Sequence, residues 1–305
     1  MKETKYNLIT ILGATATGKT TVAVALADRL DSEIISADSR QVYRGMDIGT
    51  GKDIEEYQFN GKQIPYHLID IVDAGTKYNV YEYQKDFLEA YNKISAKDKL
   101  PVLCGGTGMY IDAVTKGYKL INVPVNENLR EKLELKTNEE LEQILKSLKN
   151  THNKSDFDTR KRAIRAIEIE DYYKNNPDIS LDYPKFNTLF IGIDVDRNTR
   201  RKRITNRLKA RLEEGMIEEV EQLLKSGIAA DDLIYYGLEY KFLTMYVTGK
   251  INRNDMFQKL ESAIHQFAKR QMTWFRGMER KGTVINWIDG RMPTEEKIDK
   301  ILSLL

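Results

Sequence analysis

Residues Gly13, Ala14, Thr15, Ala16, Thr17, Gly18, Lys19 and Thr20 follow the spacing G-x-x-x-x-G-K-[ST], that of a loop that cradles a polyphosphate. The glycines let the backbone curl so that successive N–H groups converge on phosphate oxygens. The helix that follows adds the partial positive charge of its N-terminus, and Lys19 adds a full one. The Thr20 hydroxyl can ligate a Mg²⁺ that bridges two phosphates. The flanks suit this role: residues 6–12 (YNLITIL) read as a buried strand and 18–30 as a helix. Such a loop recognises polyphosphate whatever is attached to it. A P-loop kinase of a small metabolite is therefore one reading.

Asp38 follows a second strand pattern at 33–37 (EIISA), and ligands of open α/β sheets sit at carboxyl strand ends. An aspartate there can ligate a metal through water or accept a proton; it can also simply cap a turn. Gly105, Gly106, Thr107 and Gly108 follow the apolar run 100–104 at the same edge. A glycine-rich backbone with one hydroxyl can approach a phosphate or a departing oxygen closely. That run lacks the terminal acid of a Walker-B strand, and Asp194, after Phe190-Ile-Gly-Ile, is the substitute further along. Tyr43 and Tyr110 border these motifs as candidate walls. The histidines are not at metal-ligand spacing, and with Cys104 as the one cysteine there is neither an intrachain disulfide nor a cysteine metal cluster.

The elements that must position these groups alternate in the first half. Strand patterns at 6–12, 33–37, 66–71 and 100–104 alternate with helices at 18–30 and 79–96, the rhythm of a parallel sheet with helices on both faces. Charged helical patterns at 126–149 and 156–175 read as an insertion, bounded by turn signals at Asn175-Asn-Pro177 and Tyr183-Pro184. A strand returns at 187–193, followed by helices at 197–225, 236–248 and 252–276, a strand at 282–287 and a last helix from 294. The expected organisation is a P-loop core of residues 1–115 and 186–305, with a helical insertion at 116–185.

The chain is 305 residues long, 41% hydrophobic and 31% charged, which excludes global disorder. It has no apolar run of membrane-spanning length and no signal-peptide pattern at Met1, so a cytoplasmic protein without a membrane partner is expected. The net charge of +2 hides a segment, 197–211, with eight Arg/Lys and no acid. A second basic stretch, 269–281, contains Trp274 and Phe275. Basic segments with aromatic neighbours suit a polyanion that offers bases for stacking, and equally a solvated helix face with i,i+4 ion pairs.

Taken in order, the motifs resemble the tRNA dimethylallyltransferase (tRNA isopentenyltransferase) family. The resemblance rests on the P-loop, then Asp38-Ser39-x-Gln41-x-Tyr43 running into Asp47-Ile48-Gly49-Thr50, then His67-Leu68-Ile69-Asp70. Gly105 to Tyr110 and Ala268 to Arg276 complete the main set, with weaker matches at Lys161 to Glu168 and at Arg203-Ile204-x-x-Arg207. Departures occur as well. Ala14 and Thr17 replace the usual proline and serine of the loop. Gly51-Lys52-Asp53 replaces Ala-Lys-Pro, and Tyr66 replaces a histidine. Glu239 and Phe242 replace glycine and glutamate.

The resemblance implies an α/β fold with a P-loop NTPase-like parallel sheet, flanking helices and a small helical insertion domain. It implies transfer of a dimethylallyl group from dimethylallyl diphosphate to N6 of adenosine 37 in the anticodon loop of tRNA, giving N6-isopentenyladenosine. Gly13 through Thr20, with Arg203 and Arg207, would hold the diphosphate, and Thr20 the Mg²⁺ cofactor. Asp38 would accept the N6 proton and Thr107 would donate to the bridging oxygen. The tRNA would meet Asp38, Ser39, Arg40 and Gln41, then Lys161, Arg162, Ala163, Ile164 and Arg165. On the late helix it would meet Lys269, Arg270, Gln271, Trp274 and Arg276. The enzyme is expected to be a monomer.

Overall fold

The computed structural model describes residues 5–148, 159–176 and 183–305. It divides into two compact units, Met1–Tyr118 with Lys185–Leu305, and Lys119–Pro184.

In the larger unit the strands are β1 (Leu8–Leu12), β2 (Ile34–Ser36), β3 (Tyr43–Arg44), β4 (Gln58–Phe59), β5 (Lys62–Gln63), β6 (Tyr66–His67), β7 (Val72–Asp73), β8 (Val102–Gly105), β9 (Thr188–Asp194) and β10 (Ile285–Asp289). Six of them form one sheet in the order β10-β9-β1-β8-β2-β6, with every pair parallel. Side chains of β1 alternate between two cores. Leu8 and Leu12 enter one, and Ile9 and Ile11 enter the other. A strand covered on both faces must be apolar throughout, which is why 8–12 reads as an unbroken hydrophobic run.

Helices α1 (Lys19–Arg29), α2 (Val80–Ser95) and α3 (Gly108–Thr115) belong to the first half of this unit. Asn79 and Glu82 close α2 with a reciprocal capping box. The smaller unit holds α4 (Glu127–Glu134), α5 (Asn138–Leu148) and α6 (Arg160–Asn175) around a core of Leu133, Leu141, Leu145, Ala163, Ile164 and Ile167. The single helix expected at 126–149 is thus two helices. Thr137 N–H donates to Glu140 at 2.8 Å and Glu140 N–H to Thr137 Oγ1 at 3.2 Å, a second capping box that restarts the helix. Residue 149, the expected helical start at 156–158 and the turn residue Pro177 lie outside the described residues.

The chain returns to the larger unit with α7 (Arg197–Glu213), α8 (Met216–Lys225), α9 (Ala230–Tyr235), α10 (Leu238–Val247), α11 (Arg253–Arg280) and α12 (Thr294–Leu302). The helix expected over 197–225 breaks at Gly215, whose φ of 103° is left-handed. The strand expected over 66–71 shrinks to two residues because Leu68 and Asp70 adopt positive φ. Asp70 there meets Lys52, a nearly fully buried lysine whose Nζ also donates to Tyr43 O and Asp47 Oδ1, each at 2.6 Å. This cation pins the loop that precedes a short 3₁₀ turn at Ile54–Tyr57. No described helix is long and apolar enough to cross a membrane.

Two strand ends are brought unusually close. Ala37 N–H donates to Cys104 O at 2.7 Å, and Thr107 N–H to Ala37 O at 3.1 Å. A Cβ added at Gly105 would lie 2.2 Å from Ala37 O, a backbone atom that cannot rotate away. Gly105→Ala is therefore expected to destabilise the protein by about 1–3 kcal/mol through overpacking, read as a lowered urea midpoint; an unchanged midpoint would show that the two strand ends are free to part.

Candidate active site

The carboxyl ends of β1, β2 and β8 open onto one cavity of about 310 Å³. Its floor is the P-loop. Thr17 Oγ1 donates to Ala14 O at 3.0 Å and staples the loop, so the departure from serine keeps the hydroxyl. Ala14 is fully buried against the core. Ala16 and Gly18 both turn through left-handed φ, at 63° and 86°. Lys19 and Thr20 face the cavity. Burial holds the Lys19 ammonium below the ordinary lysine value, reinforced by Arg207 and opposed by Asp38 and Glu56. Burial pushes the Cys104 thiol up to about 12, so it lies in the cavity wall as a neutral group.

Asp38 and Thr107 stand on the neighbouring ends of β2 and β8. Asp38 Oδ1 accepts the Arg40 N–H at 2.9 Å. Thr107 Oγ1 accepts the Ser39 N–H at 3.1 Å, and its own proton has only a 3.4 Å contact to Ser39 Oγ. The hydroxyl is thereby oriented while its hydrogen stays available. Gln271 of α11 completes the frame. Its Oε1 accepts the Thr15 N–H at 2.9 Å and its Nε2 donates to Gly106 O at 3.0 Å.

The cavity thus gathers Thr15, Lys19, Thr20, Asp38, Ser39, Arg40, Gln41, Thr107, Arg207, Arg270 and Gln271 from the residues singled out in the sequence. Others lie elsewhere. Arg203 does not line the cavity; it sits one helical turn before Arg207, within electrostatic reach of Lys297. Gln271 is 7% exposed and both ends of its amide are used internally, which makes it a structural bridge. Gln41 has a similar position, with Nε2 on Gly51 O at 2.9 Å and Oε1 on Ser36 Oγ at 3.0 Å. Ala163 and Ile164 are buried in the core of the smaller unit, so their side chains offer no contact surface. Arg165 donates to Val123 O at 2.8 Å and to the buried Glu168. Lys161, Lys269 and Arg276 are exposed. Trp274 is 38% exposed, and its Nε1 donates to Asp112 at 3.0 Å. Tyr43 and Tyr110 are buried behind the cavity, against Tyr236 and Tyr83 respectively. Asp194 is bound to Arg200 at 2.8 Å and does not reach the cavity.

Several cavity residues went unmarked in the sequence. Arg211 follows Arg207 by one turn of α7, Tyr57 and Phe267 line other walls, and Glu239, noted in the sequence only as a departure from the family pattern, lines the cavity with them. The i,i+4 spacing of Arg207 and Arg211 was the available signal. Burial raises the Glu239 carboxyl, opposed by Arg211. Thr20 is the hydroxyl available to a metal, and the described residues contain no cluster of three His, Cys, Asp or Glu. That donor set fits Mg²⁺ carried largely by substrate phosphates and water, the usual manner for this ion.

A sequence model of the IPP transferase family matches residues 41–278. A tRNA dimethylallyltransferase 2 of Phocaeicola vulgatus is 61% identical over 301 residues, covering 99% of this chain and 98% of that protein. One of the same name from Bacteroides fragilis is 63% identical over 294 residues, 96% of each chain. The crystal structure of a tRNA isopentenylpyrophosphate transferase from Bacillus halodurans superposes with a TM-score of 0.72 at 33% identity, covering 98% of this chain and 95% of that one. A eukaryotic dimethylallyltransferase acting on tRNA shares the fold, with a TM-score of 0.78 at 22% identity over 97% of this chain and 79% of that one.

The lowered Lys19 value sets a pH dependence. Below it the free protein carries the ammonium; as pH rises through it the charge is lost. Inorganic pyrophosphate should therefore bind more weakly, and with uptake of a proton, as pH climbs towards the ordinary lysine range. Lys19→Arg should remove that part of the pH dependence, because guanidinium stays charged. Calorimetric titrations in buffers of different ionisation enthalpy measure this, and identical pH profiles for both proteins would place the titration elsewhere.

Proposed function

Because the chain belongs to the IPP transferase family, we propose that it transfers a dimethylallyl group from dimethylallyl diphosphate to N6 of adenosine 37 in the anticodon loop of tRNA. It is a transferase, and its product in this reading is N6-isopentenyladenosine. We further infer that it works in the cytoplasm as a monomer. The observation that carries the reaction is the placing of Asp38 and Thr107 on adjoining strand ends above the P-loop, in one cavity with Lys19.

The N6 lone pair attacks C1 of the donor, the C1–O bond breaks, and diphosphate departs with the bonding electrons. The Asp38 carboxylate, held by the Arg40 N–H, takes the N6 proton as the C–N bond forms. Thr107 turns its hydrogen from the long 3.4 Å contact with Ser39 Oγ to the bridging oxygen, where negative charge develops. Lys19 and the P-loop amides hold the departing diphosphate, with Arg207 beside them. Mg²⁺ on Thr20 and the phosphates would supply further neutralisation of the leaving group. The adenine must leave the loop stack to reach this cavity, at a cost of a few kcal/mol. Exposed Lys269, Arg270 and Arg276 on α11, with the open part of Trp274, suit RNA phosphates and an unstacked base. Lys161 and Arg162 offer further basic groups on the smaller unit.

The direct test incubates the protein with undermodified tRNA and dimethylallyl diphosphate, followed by nucleoside mass analysis. A mass gain at adenosine 37 is expected, and phosphorylation of a small metabolite from ATP in its place would defeat the reading. Asp38→Asn should lower turnover by ~10²–10⁴ while donor and tRNA affinities persist, since an amide oxygen can still accept from Arg40. A variant of normal rate would remove Asp38 from proton transfer. Charge reversal at Arg270 should raise the KM for tRNA, and binding should weaken steeply with salt. Efficient prenylation of free AMP, uncompeted by an anticodon stem-loop, would show that the acceptor is a mononucleotide.

A further inference from the structure

Three of the positions where the sequence departs from the family pattern converge on one side chain. Gly51 and Asp53 stand in place of alanine and proline, and Glu239 in place of glycine. In the structure Gly51 and Asp53 meet Arg211, and Glu239 acts on it electrostatically. A Cβ at Gly51 would lie 2.2 Å from Arg211 Nη2, and Gly51 has a left-handed φ of 66°, so the loop is shaped to admit the guanidinium. Asp53 accepts from Arg211 Nη2 at 3.1 and 3.0 Å through its two oxygens, and it also accepts from Arg207 Nη2. Glu239 lines the same cavity and attracts Arg211 electrostatically. Lys52, between Gly51 and Asp53, anchors the loop through Tyr43, Asp47 and Asp70.

Arg211 is 12% exposed. Among the described residues its hydrogen bonds use Nη2 alone, so the N–H groups of Nη1 and Nε remain for a ligand. It lines the main cavity with Lys19 and Thr20, and a smaller adjoining one with Thr15 and Ala16. Burial first, and then the neighbouring Arg207, hold both Lys19 and Arg211 below their ordinary values. Asp53 opposes this at Arg211 and fixes both arginines by one carboxylate. We propose that Gly51, Asp53 and Glu239 form one device that presents Arg211 beside the P-loop as an additional cation for the donor's diphosphate, with Asp53 as its positioning residue. This rests on the P-loop being the diphosphate site.

The test uses the full-length chain with Mg²⁺ and inorganic pyrophosphate as probe, together with steady-state KM values for donor and tRNA. Arg211→Gln should weaken pyrophosphate binding and raise the donor KM ~10–100-fold, the loss of a charge-assisted contact, while the tRNA KM stays within about threefold. Arg211→Lys should recover part of the loss. Asp53→Asn keeps both arginine charges but loosens them, so a smaller donor effect, about 3–10-fold, is expected. The double variant should lose less than the product of the two single losses, because part of the Asp53 effect passes through Arg211 and only the part through Arg207 remains. Unchanged pyrophosphate affinity in Arg211→Gln, multiplying effects in the double variant, or equal rises in both KM values would overturn the proposal. If Arg211→Gln fails to fold, Arg211→Lys and Asp53→Asn decide it, and wild-type affinity in both would overturn it. Lys19→Ala separates the two levels. Loss of binding there with none in the Arg211 variants removes this device alone. Full binding in Lys19→Ala removes the P-loop reading with it.

Discussion

The amide of Gln271 is the constraint on which the catalytic geometry depends. It joins the Thr15 N–H to Gly106 O, and so sets the distance between the loop at Gly13–Thr20 and the loop that carries Thr107. Neither loop can move without breaking a buried hydrogen bond, each worth about 1 kcal/mol when made and more when a buried partner is left unpaired. The fit is close: a Cβ at Gly106 would lie 2.4 Å from Gln271 Nε2. Helix α11 holds the amide in place by burying Met256, Leu260, Ile264, Ala268, Met272, Phe275 and Met278 along one face. The long helix is therefore a frame for the active site on its buried face. Its exposed face carries Lys269, Arg270 and Arg276.

The electrostatics of the cavity follow from the same crowding. Burial makes each cation here costlier to charge, and the neighbouring Arg207 adds repulsion. Lys19 and Arg211 both lie below their ordinary values for this reason. The acids around them, Asp53 and Glu239 beside Arg211 and Glu56 hydrogen-bonded to Thr21, offset this without filling the space over the P-loop. A cavity lined by cations alone would be harder to hold folded.

What the sequence made legible was whatever is local. The P-loop, Asp38 and Thr107 are each written within a few residues of a strand end, so motif and flanking pattern located them. The βαβ rhythm did the same for the sheet. The restart of α5 and the break between α7 and α8 were missed although their signals are local, Thr137 and Glu140 spelling a capping box and Gly215 turning left-handed. The role of Gln271 was not legible, because a glutamine between basic residues on a helix looks like part of a polar face, and its partners lie 256 and 165 positions away. The pairing of Asp53 with Arg211 spans 158 positions. Ala163 and Ile164 were grouped with their basic neighbours by motif, whereas the helical period places them in the core of the smaller unit.

The pairing of β1 with β9 has a bearing on how the protein is made. Leu8 is aligned with Thr188 and Leu12 with Gly192, so β1 lies in the middle of the sheet beside a strand synthesised about 180 residues later. Until the ribosome has passed that point, β1 has an unsatisfied edge, and pairing across so long a separation is slow and exposed to aggregation. The P-loop waits longer still. Gly13 fits tightly beside Ile193 O, and the Thr15 N–H finds its acceptor only at Gln271. Synthesis must therefore run past Gln271 before the loop at Gly13–Thr20 can take the shape described above.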